Sequence, residues 1–195
     1  MGYEEFHRWY TTGDGSGSGS SPAATTEWRM LVEGSLTPGG TVVDIGCGDW
    51  QHSKLIDWGD ARYVGIEVVP VLVERLREQF PEREFHLLDP EGGCSGLAGL
   101  LDRIIPGGAN LAICKDVIQH LSNEESLLLL SAILPRVDRL LLVNDSCNDG
   151  NPDIEVGGCR HVDPRVPPYS LDAEEVLRMC GGQKVAFLIK GHKVL

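Results

Sequence analysis

The fold is decided by the stretch Thr41-Val42-Val43-Asp44-Ile45-Gly46-Cys47-Gly48, in which a strand of mainly β-branched residues runs into a turn with two glycines. β-branched residues favour strands. Glycine has no Cβ and therefore lets a ligand come close to the backbone. The stretch predicts a buried strand that ends at a ligand-binding turn.

Outward from this stretch, strands and helices alternate along the chain. We expect further strands at Tyr63–Val68, Phe85–Leu88, Ala109–Cys114, Arg139–Val143, Lys184–Ile189 and His192–Leu195. We expect helices at Lys54–Trp58, Pro70–Gln79, Leu97–Ile105, Glu124–Leu134 and Leu171–Leu177. This order predicts an α/β fold with a doubly wound, mostly parallel seven-stranded sheet and helices on both faces. The closing pair of strands predicts one antiparallel edge strand.

The segment before this domain has an unusual composition. Aromatic residues, among them Trp9 and Tyr10, precede a Gly/Ser-rich tract at residues 13–22. The tract alone is typical of a flexible linker. The aromatic residues instead favour an arm, residues 1–26, that closes over an active site in the domain formed by residues 27–195.

The charge balance of the 195 residues excludes some partners. There are 17 Lys and Arg residues against 29 Asp and Glu, a net charge of −12, which disfavours nucleic acid. No apolar run is long enough for a membrane span, and the first residues do not resemble a signal peptide. The six cysteines contain no C-x-x-C pair, and we expect a protein of the reduced cytoplasm, although the cysteines alone would permit disulfides.

Polar residues follow the first three strands, where a doubly wound sheet binds its ligands. Asp44 is followed by the two-glycine turn, Glu67 ends the second strand, and Asp89 follows the third. We expect Glu67 to accept hydrogen bonds from both hydroxyls of a ribose, and Asp89 to accept from an adenine amino group. Gln51 stands where a dinucleotide fingerprint has its third glycine, and paired carboxylates would repel a pyrophosphate. A cationic ligand is therefore favoured.

The chain resembles the Rossmann-like (class I) S-adenosylmethionine (SAM)-dependent methyltransferases in four successive stretches, Val43–Asp49, Tyr63–Glu67, Leu88–Pro90 and Asp116–Leu121. The resemblance implies SAM as the cofactor, with the methionine part near the first motif, the ribose on the second and adenine near the third. The implied cofactor contacts are Asp44, Gly46, Cys47, Gly48, Glu67, Asp89 and Pro90.

A narrower resemblance covers the arm and the long loop at residues 144–169. Both are similar to small bacterial methyltransferases associated with saccharides and natural products, and Gly48–Trp58 is similar to the type that makes mycobacterial methylmannose polysaccharide. It implies an O-methyltransferase whose acceptor is a small molecule, a saccharide foremost. The implied contacts are Ser18, Gly19 and Ser20 for the cofactor and Trp9, Tyr10, Asp153, Arg160, Asp163 and Tyr169 for the substrate. Arg160 and Asp163 could alternatively form an internal pair that folds the loop.

The candidate catalytic residues are Asp116, His120 and Asp145. Asp116 and His120 would share one face of a helix, and a histidine has a suitable pKa for a general base. His120 could instead cap the next segment or lie beneath the substrate. Asp116, Asn144 and Asp145 occupy places comparable to the Mg²⁺ ligands of metal-dependent methyltransferases such as catechol O-methyltransferase, with the order of the last two reversed. Alternatively, Asp116 contacts the methionine amino group and Asp145 acts as base or substrate anchor.

Two rival functions remain open on the sequence. An NAD-dependent oxidoreductase would use the same fold, although its glycine fingerprint is incomplete here. A cofactor-binding scaffold would keep the pocket without turnover. We expect a small-molecule acceptor as partner, no nucleic acid, no membrane, and a homodimer.

Overall fold

A single seven-stranded sheet forms the centre of the computed structural model, which describes residues 2–12, 15–146 and 150–193. The strand order is β3-β2-β1-β4-β5-β7-β6. Strands β1 to β5 run parallel, whereas β7 is antiparallel to both of its neighbours. The predicted α/β fold with a mostly parallel seven-stranded sheet is confirmed, and its antiparallel strand lies one place in from the edge. The strands are β1 (Thr41–Ile45), β2 (Arg62–Glu67), β3 (Glu84–Leu87), β4 (Ala109–Lys115), β5 (Val137–Asp145), β6 (Ala173–Met179) and β7 (Lys184–Lys190).

Two apolar cores cover the two faces of the sheet, because successive strand residues point to opposite sides. Val43 of β1 packs on one face against α4 and α5, and Val42 packs on the other face against α2 and α3. The short helix α1 contains no buried residue. The helices are α1 (Glu4–Thr12), α2 (Thr26–Ser35), α3 (Pro70–Gln79), α4 (Leu97–Ile104) and α5 (Asn123–Ile133).

The helix predicted at Leu171–Leu177 is wrong, because Ala173–Met179 form strand β6 at the edge of the sheet. The acidic residues of this segment suit the first turn of a helix, but pairing with β7 supplies backbone hydrogen bonds along the segment and packs Val176 against the core. The pairing register shifts between Glu175 and Leu177. The strand predicted at His192–Leu195 is also not observed: residues 192 and 193 are not in a strand, and the last two residues lie outside the described ranges.

The helix predicted at Lys54–Trp58 is replaced by a short 3₁₀ turn, Ser53–Leu55. The indole of Trp58 donates a hydrogen bond to the Ser53 carbonyl oxygen at 3.0 Å, which folds the segment back on itself. Its ring also packs against Tyr63 in the buried core. The other predicted strands and helices agree with the observed ones to within two residues at each end.

None of the helices in the described ranges has the length and the apolar character needed to cross a membrane. Five of the six cysteines lie in these ranges, and all five are free thiols. Cys47, Cys94 and Cys114 are buried, where a thiol packs as a small apolar group.

Candidate active site

A cavity of about 450 Å³ lies beyond the carboxyl ends of β1, β2 and β4. Its wall includes the glycine turn after β1, Glu67 at the end of β2, and both Asp116 and His120 after β4. Ligands of doubly wound sheets bind at this edge. The strand order thus brings together four of the sequence features that were singled out separately.

The turn after β1 requires its glycines. Gly46 and Gly48 have φ angles of 69° and 58°, a region that residues with a Cβ rarely adopt. A Cβ on Gly46 would lie 2.5 Å from Cγ2 of Val117, so a side chain there would displace the segment that carries His120. The backbone therefore forms this part of the cavity wall, with room for a ligand to approach.

Glu67 is held by backbone groups and is almost fully buried. Its Oε2 accepts from the N–H of Gly48 at 2.9 Å, and its Oε1 accepts from the N–H groups of Val68 at 2.8 Å and Val69 at 3.1 Å. Burial raises the pKa of Glu67, although these three hydrogen bonds favour the ionised form. A carboxylate offers about four acceptor positions. Glu67 therefore has room for one further hydroxyl, fewer than the two expected from the sequence.

Asp44 is buried beside the glycine turn and lines the cavity. The hydroxyl of Tyr63 donates to its Oδ2 at 2.8 Å, and Ser53 also donates to it. Burial raises the pKa of Asp44 to about 7, since the two hydroxyl donors offset only part of the desolvation. Asp44 can thus hold a proton near neutral pH.

Two lysines balance the charge of Asp116. The ammonium of Lys115 lies 2.5 Å from Asp116 Oδ2, and that of Lys184 lies 2.6 Å from Oδ1 and 2.8 Å from Asp145 Oδ1. Burial by itself would raise the pKa of Asp116, but the two ammonium groups hold it below its usual range. Burial likewise would lower the pKa of Lys184, and the two carboxylates raise it instead. The two lysines and the two carboxylates therefore offset one another in formal charge.

These residues do not fit the predicted Mg²⁺ site. The Lys184 ammonium already lies between the carboxylates of Asp116 and Asp145, where the cation was expected. Asn144 and Asp145 are consecutive residues of β5 and point to opposite faces of the sheet, so they cannot ligate one ion together. Within the ranges that the structure describes, no group of three acidic, histidine or cysteine side chains could hold a metal.

His120 lies at the end of a short 3₁₀ turn, Ile118–His120, instead of on the helix face that the sequence suggested. Asp116, with a φ of 58°, turns the chain sharply after β4, and both side chains still reach the cavity. His120 Nδ1 lies 2.8 Å from the carbonyl oxygen of Gly158. Burial lowers the pKa of His120, and the hydrogen bond to Gly158 only partly offsets this. The ring is therefore neutral near pH 7.

Described residues between positions 3 and 20 of the arm cover the cavity. Tyr3 lines it together with Phe6, Trp9 and Tyr10 of α1, and the centroids of the Trp9 and His120 rings lie 5.0 Å apart. The polar contacts that fasten the segment to the sheet domain include Tyr3 to Glu125 at 2.7 Å, Ser16 to Asp49 at 2.9 Å, and Lys115 to Ser20 at 3.1 Å. The composition of the Gly/Ser tract is typical of a linker, but the described part of the tract is folded against the domain.

Comparisons with known proteins agree with this architecture. No family model and no curated protein matches the sequence. Among solved structures, the chain is similar to a TehB-like SAM-dependent methyltransferase from Corynebacterium glutamicum, with a TM-score of 0.59, 13% identity, and coverage of 96% of this chain and 95% of that one. It is also similar to magnesium protoporphyrin IX methyltransferase from Synechocystis PCC 6803 with bound SAH, with a TM-score of 0.62, 17% identity, and coverage of 98% and 94%. The chain has the class I methyltransferase fold.

A third similar structure bears on chain length. The chain matches mitomycin 7-O-methyltransferase with a TM-score of 0.61 and 19% identity, over 86% of this chain and 54% of that one. It therefore spans about half of that protein. At these identities the likeness concerns the class I methyltransferase fold alone.

Within the class I methyltransferase fold, several predicted contacts lie at the cavity and others do not. Of the predicted cofactor contacts, the cavity wall contains Asp44, Gly46, Cys47, Gly48, Glu67 and Ser20. Ser18, Gly19, Asp89 and Pro90 lie outside that wall; Asp89 is exposed and accepts from the N–H of Glu91, while Gly19 packs against Lys184. Leu88 lines the cavity beside Asp89.

The predicted substrate contacts in the long loop hold the loop together instead of lining the cavity. Arg160 is buried and donates to Asn123 Oδ1, to the Pro152 carbonyl oxygen and to the Tyr169 hydroxyl. Asp163 forms an ion pair with Arg165 at 2.6 Å, instead of with Arg160. Asp153 is exposed and accepts from the N–H of Asn123. Burying an unpaired guanidinium is costly, so these contacts commit Arg160 to folding the loop.

Sequence reasoning missed Lys115, Gln119 and Lys184. A lysine at the end of the apolar run Ala109–Cys114 is a signal that could have been noticed, because a charge beside a buried strand needs a partner. No local pattern connects Lys184 with Asp116, since 68 residues separate them. Gln119 is buried next to His120 and resembles an ordinary core-facing residue in the sequence.

We predict that Asp44 makes the folded protein less stable as the pH rises. The unfolded carboxyl ionises near pH 4, whereas the buried one keeps its proton to about pH 7, so stability falls across that window. Between pH 4 and 8, the free energy of unfolding should fall less in Asp44→Asn than in the wild type, by on the order of 3 kcal/mol. Urea unfolding at several pH values measures it, with the exposed Asp172→Asn as control. Identical pH dependence in the wild type and Asp44→Asn would contradict the assignment.

A second prediction concerns the Lys184 ammonium. Lys184→Ala leaves Asp116 and Asp145 facing each other with one counter-charge fewer, which favours a divalent cation. We expect this variant to bind Mn²⁺ at least about tenfold more tightly than the wild type, by electron paramagnetic resonance. Lys190→Ala at the exposed end of β7 is the control, and Lys184→Ala combined with Asp145→Asn should lose the gain. Equally tight Mn²⁺ binding by the wild type would instead support the metal site predicted from the sequence.

Proposed function

We propose that the protein is a SAM-dependent O-methyltransferase that acts on a hydroxyl group of a small molecule. One observation carries the proposal: a single cavity connects the glycine turn and the Glu67 carboxylate with the neutral imidazole of His120. The first two features suit a nucleoside cofactor, and the third suits removal of a proton from an alcohol. Both kinds of chemistry are needed for methyl transfer to oxygen.

The residues of the cavity fit SAM. Glu67 offers an acceptor for a ribose hydroxyl, and the side chains of Ile66, Val68 and Leu88 provide an apolar surface beside it for a purine ring. The buried carboxylate of Asp44 favours the positive charges of SAM over a pyrophosphate. When bound, SAM supplies an activated methyl group for in-line transfer.

His120 is the residue that we propose to accept the proton of the acceptor hydroxyl. Its neutral ring carries one unprotonated nitrogen at neutral pH, and burial lowers its pKa, so the ring stays competent as a base as the pH falls below 7. The rings of Phe6 and Trp9 pack beside it and exclude water from the reacting atoms. Asp116 and Asp145 are paired with lysines and are weaker candidates for this step.

A saccharide is the acceptor that we propose first. The support is the resemblance of the arm to saccharide-associated methyltransferases, together with the Trp9 and Tyr10 rings in the cavity wall. Aromatic rings offer a flat apolar surface with a polar edge, which suits the face of a sugar ring. The expected homodimer and the cytoplasmic location stay predictions.

The function is tested by calorimetry and by product detection. We expect the wild type to bind SAM and not NAD, and Glu67→Gln to weaken SAM binding about tenfold, because one hydrogen bond to a charged acceptor is worth about 1.5 kcal/mol. Glu74→Gln on the exposed face of α3 is the control. Transfer of a labelled methyl group to a panel of mono- and oligosaccharides and other alcohols then tests catalysis.

The rival functions give different results in the same experiment. Binding of NAD without SAM would support an oxidoreductase. Tight SAM binding with no methylated product from any acceptor class would support a scaffold without turnover. Either result would contradict the proposed function.

We further propose that the arm is a lid, and a deletion tests it. Helix α1 has no buried residue, so removing residues 1–12 should lower the melting temperature by only a few degrees. The same deletion uncovers the cavity and should lower kcat at least about tenfold, because water enters beside the reacting atoms. Equal kcat in the full chain and the truncated one would show that α1 is not a lid.

A further inference from the structure

Gln119 joins His120 to the end of β5 through one continuous chain of hydrogen bonds. The backbone N–H of Asp145 donates to Gln119 Oε1 at 2.8 Å. Gln119 Nε2 lies 3.3 Å from His120 Nε2, and His120 Nδ1 lies 2.8 Å from the Gly158 carbonyl oxygen. Gln119 itself is only 4% exposed, so this geometry is enclosed by protein.

The chemistry of the two ends fixes the direction of the chain. A backbone N–H can only donate, so the amide oxygen of Gln119 must face Asp145 and its NH₂ group must face the imidazole. A carbonyl oxygen can only accept, so His120 must carry its proton on Nδ1. His120 Nε2 then holds the lone pair, and it accepts from the NH₂ group of Gln119. All three hydrogen bonds point the same way.

We propose that Gln119 is a positioning residue that holds His120 as a neutral imidazole with its basic lone pair on Nε2. An imidazolium ring would turn an N–H toward the NH₂ group of Gln119, and two donors cannot satisfy each other. The N–H···N contact at 3.3 Å is long, so a hydroxyl in the cavity can compete for the same lone pair. The base role of His120 rests on the proposed function, whereas the hydrogen-bond chain does not.

Other groups around His120 act on its charge in both directions. The carboxylates of Asp116 after β4 and Asp145 on β5 favour the imidazolium, and the ammonium of Lys184 on β7 opposes it. Helix α1 packs the uncharged rings of Phe6 and Trp9 beside the imidazole, and its Glu5 lies against Gly157. Gly158 and Gln119 are the neighbours that distinguish the two ring nitrogens, because Gly158 contacts Nδ1 and Gln119 contacts Nε2.

The loop after β5 supports the other end of the chain. The N–H of Gly157 donates to the His120 carbonyl oxygen at 2.8 Å, and the N–H of Arg160 donates to the Gln119 carbonyl oxygen at 3.0 Å. These bonds place Gly158 against the imidazole. The buried guanidinium of Arg160 keeps this part of the loop in place, which gives the residue a part in orienting His120 at a distance from the cavity.

Nuclear magnetic resonance of the ¹⁵N-labelled imidazoles tests the proposal without substrate. His120→Asn assigns the signal among the six histidines. We expect the wild type to carry the proton on Nδ1 and to titrate below pH 6.5. In Gln119→Glu a carboxylate faces Nε2 and should raise the pKa of His120 by about one unit or more. Gln119→Met, which removes the donor without adding charge, should raise it by about half as much.

Controls and kinetics complete the test. Gln79→Glu makes the same chemical change at the exposed end of α3 and should leave His120 unchanged. The acidic limb of kcat/KM against pH should move up with the pKa in Gln119→Glu. A wild-type proton on Nε2, or an unshifted His120 in a folded Gln119→Glu, would overturn the proposal. If only the proposed function is wrong, the NMR results will be as expected while no methyl transfer is detected.

Discussion

The parallel course of β1, β2, β4 and β5 brings their carboxyl ends to one edge of the sheet, and each strand delivers an acidic residue there. Charges removed from water must be balanced by nearby groups. The protein balances its carboxylates in different ways: Asp44 with a tyrosine hydroxyl and a retained proton, Glu67 with three backbone N–H groups, and Asp116 with two lysines. Of these groups, Asp44, Glu67, Lys115 and Asp116 line the cavity.

These different solutions give the edge different chemical properties along its length. Burial raises the pKa of Asp44, whereas two ammonium groups lower that of Asp116. His120, on the same cavity wall, is neutral and bonded to the loop. Groups whose charge and direction are set before a ligand arrives need little rearrangement during a reaction. Residues of the arm line one part of the cavity, and the ends of the strands line another.

The sequence predicts the parts of the structure whose signals are local. Strands β1 to β5 are apolar runs, and the glycine turn and Glu67 follow two of them directly. The same reasoning fails where distant segments decide the outcome. Strand β6 forms because β7 pairs with it. The ammonium of Lys184 occupies the place expected for Mg²⁺, although Lys184 is 68 residues away from Asp116 in the sequence. Arg160 was expected at the substrate, since a sequence does not reveal that a charged side chain will be buried in its own loop.

Strand β6 has a consequence for how copies of this chain meet. An open sheet edge invites another strand to pair with it. Here that edge carries the paired charges of Glu175 and Arg178, and its register shifts between Glu175 and Leu177. Both features interrupt the even row of backbone groups that a foreign strand needs. With a net charge of −12, like-charged molecules also repel one another. The chain is thereby protected from aggregation through this edge, and a second copy would have to associate through a different face.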